Sequence, residues 1–79
     1  MSVFDETEEV TETATKFAIR IRKARKQVGL SQNQVAAKLG KAGHSSVVNW
    51  EKGTATPTVK DFVVLCEIYQ VTPNEILLD

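Results

Sequence analysis

One cysteine, Cys66, and one histidine, His44, occur among the 79 residues. A lone thiol cannot close an internal disulfide, and without a Cys/His cluster no metal site of recognisable spacing exists. Two prolines and four glycines are too few for a Pro/Gly linker or a turn-rich β sandwich. No internal repeat or low-complexity tract is visible. No apolar run approaches the roughly 20 residues that span a bilayer. The opening Met1-Ser2-Val3-Phe4-Asp5-Glu6 lacks the basic and apolar regions of a secretion signal. A glycine-rich phosphate loop and a paired-carboxylate signature are also missing, so catalysis is not expected. These absences predict a single reduced, cytoplasmic, non-membrane domain with no metal and no cofactor.

What is present is an uneven charge. The formal net charge is zero, yet residues 1–15 carry Asp5, Glu6, Glu8, Glu9 and Glu12 and no Lys or Arg. All ten basic residues lie between Lys16 and Lys60, accompanied only by Glu51. Asp61, Glu67, Glu75 and Asp79 return the balance at the end. A neutral total therefore conceals a strongly basic middle, whose local field attracts phosphates. A basic helical surface can also be nothing more than a solvated face.

Periodicity supplies the fold class. Residues 1–12 show no clear period and read as an acidic, mobile N-terminal arm. From about Thr13, Phe17, Ile21, Ala24 and Val28 form one apolar helical stripe, which Gly29 terminates. Ser31 reads as the N-cap of a short second helix burying Val35, Ala36 and Leu39, with Gly40 at its end. Lys41-Ala42-Gly43-His44 then breaks the chain. A third short helix, capped by His44 or Ser45, turns Val47 and Trp50 inward and closes at Gly53. Thr58 caps a fourth helix with Val59, Phe62, Val63, Cys66 and Tyr69 as its apolar positions. Thr72-Pro73-Asn74-Glu75 is a capping box opening a last turn anchored by Ile76 and Leu77. The expectation is an all-α, compact five-helix domain over residues 13–79. Two short helices joined by a glycine-bearing turn in a basic context outline a helix-turn-helix formed by helices 2 and 3.

The wording of the segments goes further than their period. Arg22-Lys23-Ala24-Arg25, Gly29-Leu30-Ser31-Gln32, Val35-Ala36, Leu39-Gly40, Val47, Trp50-Glu51-Lys52-Gly53 and Pro57 occur in an order that resembles the phage repressor and Cro family of Xre-like regulators. The resemblance continues through Val71-Thr72-Pro73 and Glu75-Ile76-Leu77, covering roughly residues 16–78. It implies a lambda-repressor-like domain and a sequence-specific double-stranded DNA-binding regulator, a repressor of phage, prophage, antitoxin or controller type. Between Gly40 and Trp50 the chain has one residue more than the family usually has. The excess falls in the turn that aims the third helix, where Gly43 could absorb it through unusual backbone angles.

The resemblance also distributes roles. Domains of this kind lay the third helix in the major groove with its N-terminal residues against base edges. The matching positions are His44, Ser45, Ser46 and Asn49. Asn can pair in two places with adenine, whereas Ser discriminates less and can instead cap the helix. Gln32, Lys41, Lys52 and Thr54 match the phosphate-contacting positions, which orient the protein without reading sequence. Arg25 and Glu51 match a structural ion pair tying the first helix to the end of the third. Trp50, Phe17 and Cys66 are expected in the core.

A short recognition helix reads few bases, so a homodimer on DNA is expected. Its surface would be Tyr69, Ile76, Leu77 and Leu78, or the N-terminal arm. The alternative reading is a protein-interaction module, an antitoxin or adaptor, whose acidic arm binds a basic protein partner or folds over the chain's own basic helix.

Overall fold

The computed structural model describes the backbone of residues 5–77 and the side chains of residues 15–77. Five helices follow in order: α1 (Asp5–Gln27), α2 (Gln32–Lys38), α3 (Ser45–Lys52), α4 (Val59–Tyr69) and α5 (Pro73–Leu77). No strand occurs among the described residues. The acidic segment 1–12 was expected to be a mobile arm. Its side chains lie outside the described residues, but the backbone from Asp5 onward is already the first part of α1. Leu78 also lies outside them.

Local chemistry accounts for where the short helices start. The Ser31 hydroxyl accepts from the Gln34 N–H at 3.0 Å, while the Gln34 side chain accepts from the Ser31 N–H at 2.8 Å, a complete capping box. Thr58 accepts from the Asp61 amide at 3.1 Å. The Thr72–Glu75 box closes with bonds of 2.7 and 3.4 Å. At α3 the cap is weaker: His44 occupies the N-cap position and its side chain makes no capping bond.

The first four helices each end at or just before a left-handed residue. At the end of α2, Gly40 has φ +77, and the Gly40 and Lys41 amides donate back to Ala37 and Ala36 at 3.0 and 2.9 Å. Gly40 is therefore the left-handed glycine of the turn, whereas Gly43, expected to absorb the extra residue, has no positive φ. The surplus is taken up by ordinary bends over residues 42–44. Gln70 ends α4 in the same manner with φ 61, the one non-glycine in that region among the described residues.

The core lies where α1, α3, α4 and α5 converge over α2, and comprises Ile21, Ala24, Val35, Ala36, Val47, Trp50, Leu65, Cys66, Tyr69 and Ile76. Phe17 and Phe62 pack beside it with ring centroids 5.8 Å apart. On α4 the observed face is rotated from the expected one. Leu65, passed over in the sequence, is fully buried, while Val59 and Val63 are 80% and 47% exposed. Phe62 of the first turn packs against the core, whereas Val59 and Val63 lie on the outer side of the helix. Tyr69 and Ile76 are buried in the protein's own core, and so are unavailable as a dimer surface; of that expected patch, Leu77 is exposed.

Candidate nucleic-acid interface

Helix α3 is short because of its flanking residues, and its burial divides it into two faces. Val47 and Trp50 point into the core. Ser45, Asn49 and Lys52 follow at intervals of four and three, so they share the opposite, exposed face. His44 is exposed just ahead of them, and Ser46 is half-buried at the margin. Among the described residues, neither serine hydroxyl is engaged in a cap, since the N-cap position belongs to His44. The structure thus brings the four base-reading candidates to one end of one helix.

Asn49 is held in place from below. The Thr54 hydroxyl lies 3.2 Å from both the backbone carbonyl and the side-chain Oδ1 of Asn49. A hydroxyl has one proton, so it serves one of these acceptors at a time. The Thr54 amide also donates to the Asn49 carbonyl at 3.0 Å. Oδ1 keeps a second lone pair and the amide nitrogen keeps both protons, which is what two-point pairing with adenine requires. Thr54, expected to meet a phosphate, has both its donors turned toward Asn49.

Arg25 and Glu51 stand in a bidentate pair. Arg25 donates from Nε at 2.6 Å and from its terminal nitrogen at 3.0 Å, and a third N–H reaches the Leu30 carbonyl at 2.9 Å. The two side chains are only 10% and 4% exposed. The hydrogen bond to Glu51 outweighs burial and holds the guanidinium above its ordinary pKa. Gln32 joins the cluster by donating to Glu51 at 3.1 Å. One N–H of the Gln32 amide is thereby committed and the other remains available. This arrangement fixes α1, the start of α2 and the end of α3 relative to one another.

Lys41 has a double engagement. Its ammonium lies 3.1 Å from Asp61 and 5.9 Å from the centroid of the Trp50 ring. It therefore braces the lengthened turn against both α3 and α4, and reaching a phosphate would require giving up Asp61. Lys52 is exposed at the end of the reading face. The Thr54–Asn49 and Lys41–Asp61 contacts were missed in the sequence because each crosses a helix end. The signals were present: a Thr directly after the closing Gly53, and an acid in the first turn after Thr58.

The arrangement of α2, turn and α3 can be set beside known proteins. A family model described as Helix-turn-helix matches residues 21–76, well over half of the chain. The chain belongs to the helix-turn-helix family. It is 40% identical over 58 residues to the HTH-type transcriptional regulator DicA of Escherichia coli (strain K12), across 73% of this chain and 42% of that protein. The helix-turn-helix chain thus spans about two-fifths of the length of the curated relative it matches. No solved structure matches it. Among the described residues no group of acids, His and Cys could hold a metal ion. No described helix is long and apolar enough to cross a membrane.

Proposed function

We propose that this helix-turn-helix chain is a sequence-specific double-stranded DNA-binding transcriptional regulator that reads the major groove with the N-terminal half of α3. The observation that carries the proposal is the exposed Ser45–Asn49–Lys52 face, with His44 ahead of it and Asn49 fixed by Thr54. A pre-positioned amide loses little freedom when it pairs with a base, and this favours discrimination. His44, Ser45, Ser46 and Asn49 contact base edges. Gln32 and Lys52 contact phosphates on either side. Thr54 and Lys41 act mainly by positioning Asn49 and the turn, and Lys41 joins the phosphate contacts only if its pair with Asp61 opens. Kinship with a protein named a transcriptional regulator supports the regulatory role. Repression by a homodimer of phage, prophage, antitoxin or controller type is the finer form of this proposal.

Selection from a random pool of duplex DNA at moderate salt tests it. One enriched motif, lost in Asn49→Ala and altered in Ser45→Ala, is the expected result. Failure to enrich any motif at any salt overturns the proposal and leaves the protein-interaction alternative.

A further inference from the structure

Helix α1 continues well before the apolar stripe that anchors it, and its outer face carries an ordered pattern. Positions 5, 8, 12, 15, 19, 22 and 26 recur at alternating intervals of three and four, which puts them on one face of the helix. That face is opposite Ile21 and Ala24, which are buried. Along it the sequence changes sign: Asp5, Glu8 and Glu12 come first, then Ile19, then Arg22 and Lys26 with Lys23 beside them. Ile19 is 60% exposed on this face, an apolar side chain between the acidic and basic stretches. Together with Arg22, Lys23 and Lys26 it lines a shallow open groove.

We propose that this outer face of α1 is a docking surface for the α1 of a second copy of the chain, laid antiparallel. The acidic segment cannot fold back onto its own basic groove, because both belong to one uninterrupted helix of 23 residues. At a rise of about 1.5 Å per residue they sit at opposite ends of a rod. A second copy brings them together. Centred between Thr15 and Lys16, an antiparallel pair sets position 5 opposite 26, 8 opposite 23 and 12 opposite 19. In each half Asp5 then faces Lys26 and Glu8 faces Lys23, the halves are equivalent by the two-fold axis, and the two Ile19 residues flank the centre opposite Glu12. Parallel pairing would set acid against acid and base against base. DNA is a poorer occupant of the whole stripe, since its acidic half would repel the phosphates that its basic half attracts. This inference does not depend on which bases α3 reads.

Sedimentation equilibrium of the full chain tests it, with helicity followed by circular dichroism. The wild type should be a dimer at low salt and dissociate as salt is raised, because salt screens the attraction between the opposite charges. Glu8→Lys with Glu12→Lys, and separately Lys23→Glu with Lys26→Glu, should each weaken dimerisation at least about tenfold, since every reversed charge counts twice across the axis. An equimolar mixture of the two variants should form a heterodimer. The mixture keeps the test sound if either variant frays the end of its own helix. A monomeric wild type at low salt, dimers that persist in both variants, or a mixture that stays monomeric would each overturn the proposal. So would a Lys23→Glu/Lys26→Glu chain that loses affinity for duplex DNA while sedimenting like the wild type, because the groove would then belong to phosphates.

Discussion

Replacing Glu51 with Leu strands the Arg25 guanidinium, which has two bonds to that carboxylate and a side chain only 10% exposed. Removing one partner of a buried pair typically costs about 3–5 kcal/mol. The residual exposure of Arg25 argues for the lower end, about 3 kcal/mol. A domain of 79 residues has a total stability of roughly 4–12 kcal/mol, so a large share of it would be lost. At about 4–8 °C per kcal/mol for a domain of this size, Tm should fall by at least about 12 °C. Arg25→Met should cost a similar amount, because it leaves Glu51 buried with only Gln32 as a donor. The double variant should recover to within about 1 kcal/mol of the wild type, since apolar side chains can replace a buried ion pair at little net cost. Urea denaturation followed by circular dichroism on all four proteins gives the coupling energy directly. A loss below about 1 kcal/mol in both single variants would refute this reasoning, because the pair would then behave as a solvated surface contact.

Other consequences are open to simpler measurements. Gln70→Gly should raise stability by about 1 kcal/mol, since Gln70 holds a left-handed φ of 61 that glycine adopts without a Cβ clash; no rise in Tm would contradict this. Burial raises the Tyr69 phenol pKa well above its ordinary value of about 10. The folded state therefore keeps a proton that the unfolded state releases, so stability is intact below about pH 10 and declines as pH rises beyond it. Tyrosinate absorbance of Tyr69 appearing near pH 10 with the fold intact would count against that. Burial also pushes the Cys66 thiol up, with Glu75 adding to it, so alkylation at pH 8 should proceed at the rate of unfolding and not at that of a free thiol. Lys52→Ala should weaken DNA binding similarly for all sequences and lower the slope of log K against log salt by about 1. Lys41→Met should leave that slope unchanged, because in the wild type Asp61 holds the ammonium away from phosphates.

Much of this was legible in the residues because it is local. Ser31, Thr58 and Thr72 announce helix starts through short-range hydrogen bonds, and Gly29 and Gly53 announce helix ends. The paired Arg25 and Glu51 could be read from the resemblance alone. What escaped depends on how elements meet. The phase of α4 depends on which of its faces meets the other helices, and that face buries Leu65 while Val59 and Val63, expected inside, stay exposed. Gly40 was readable as the end of α2, but that the extra turn residue needs no left-handed Gly43 was not, because it depends on how the turn closes on Ala36 and Ala37. The start of α1 was hidden for a different reason: acids and threonines carry no apolar period, although a helix can continue through them. In the candidate interface, the exposed residues of α3 were readable, but the contacts that hold them, from Thr54 to Asn49 and from Lys41 to Asp61, are tertiary.

The central claim is that α3 meets the bases, and nuclear magnetic resonance of the labelled chain titrated with its selected duplex addresses it most directly. The account predicts that the largest amide shifts fall on residues 44–49, with smaller ones at Gln32 and Lys52, and that Asn49→Ala abolishes the shifts over 44–49. Shifts concentrated on the outer face of α1 or on α4, with α3 unmoved, would contradict it.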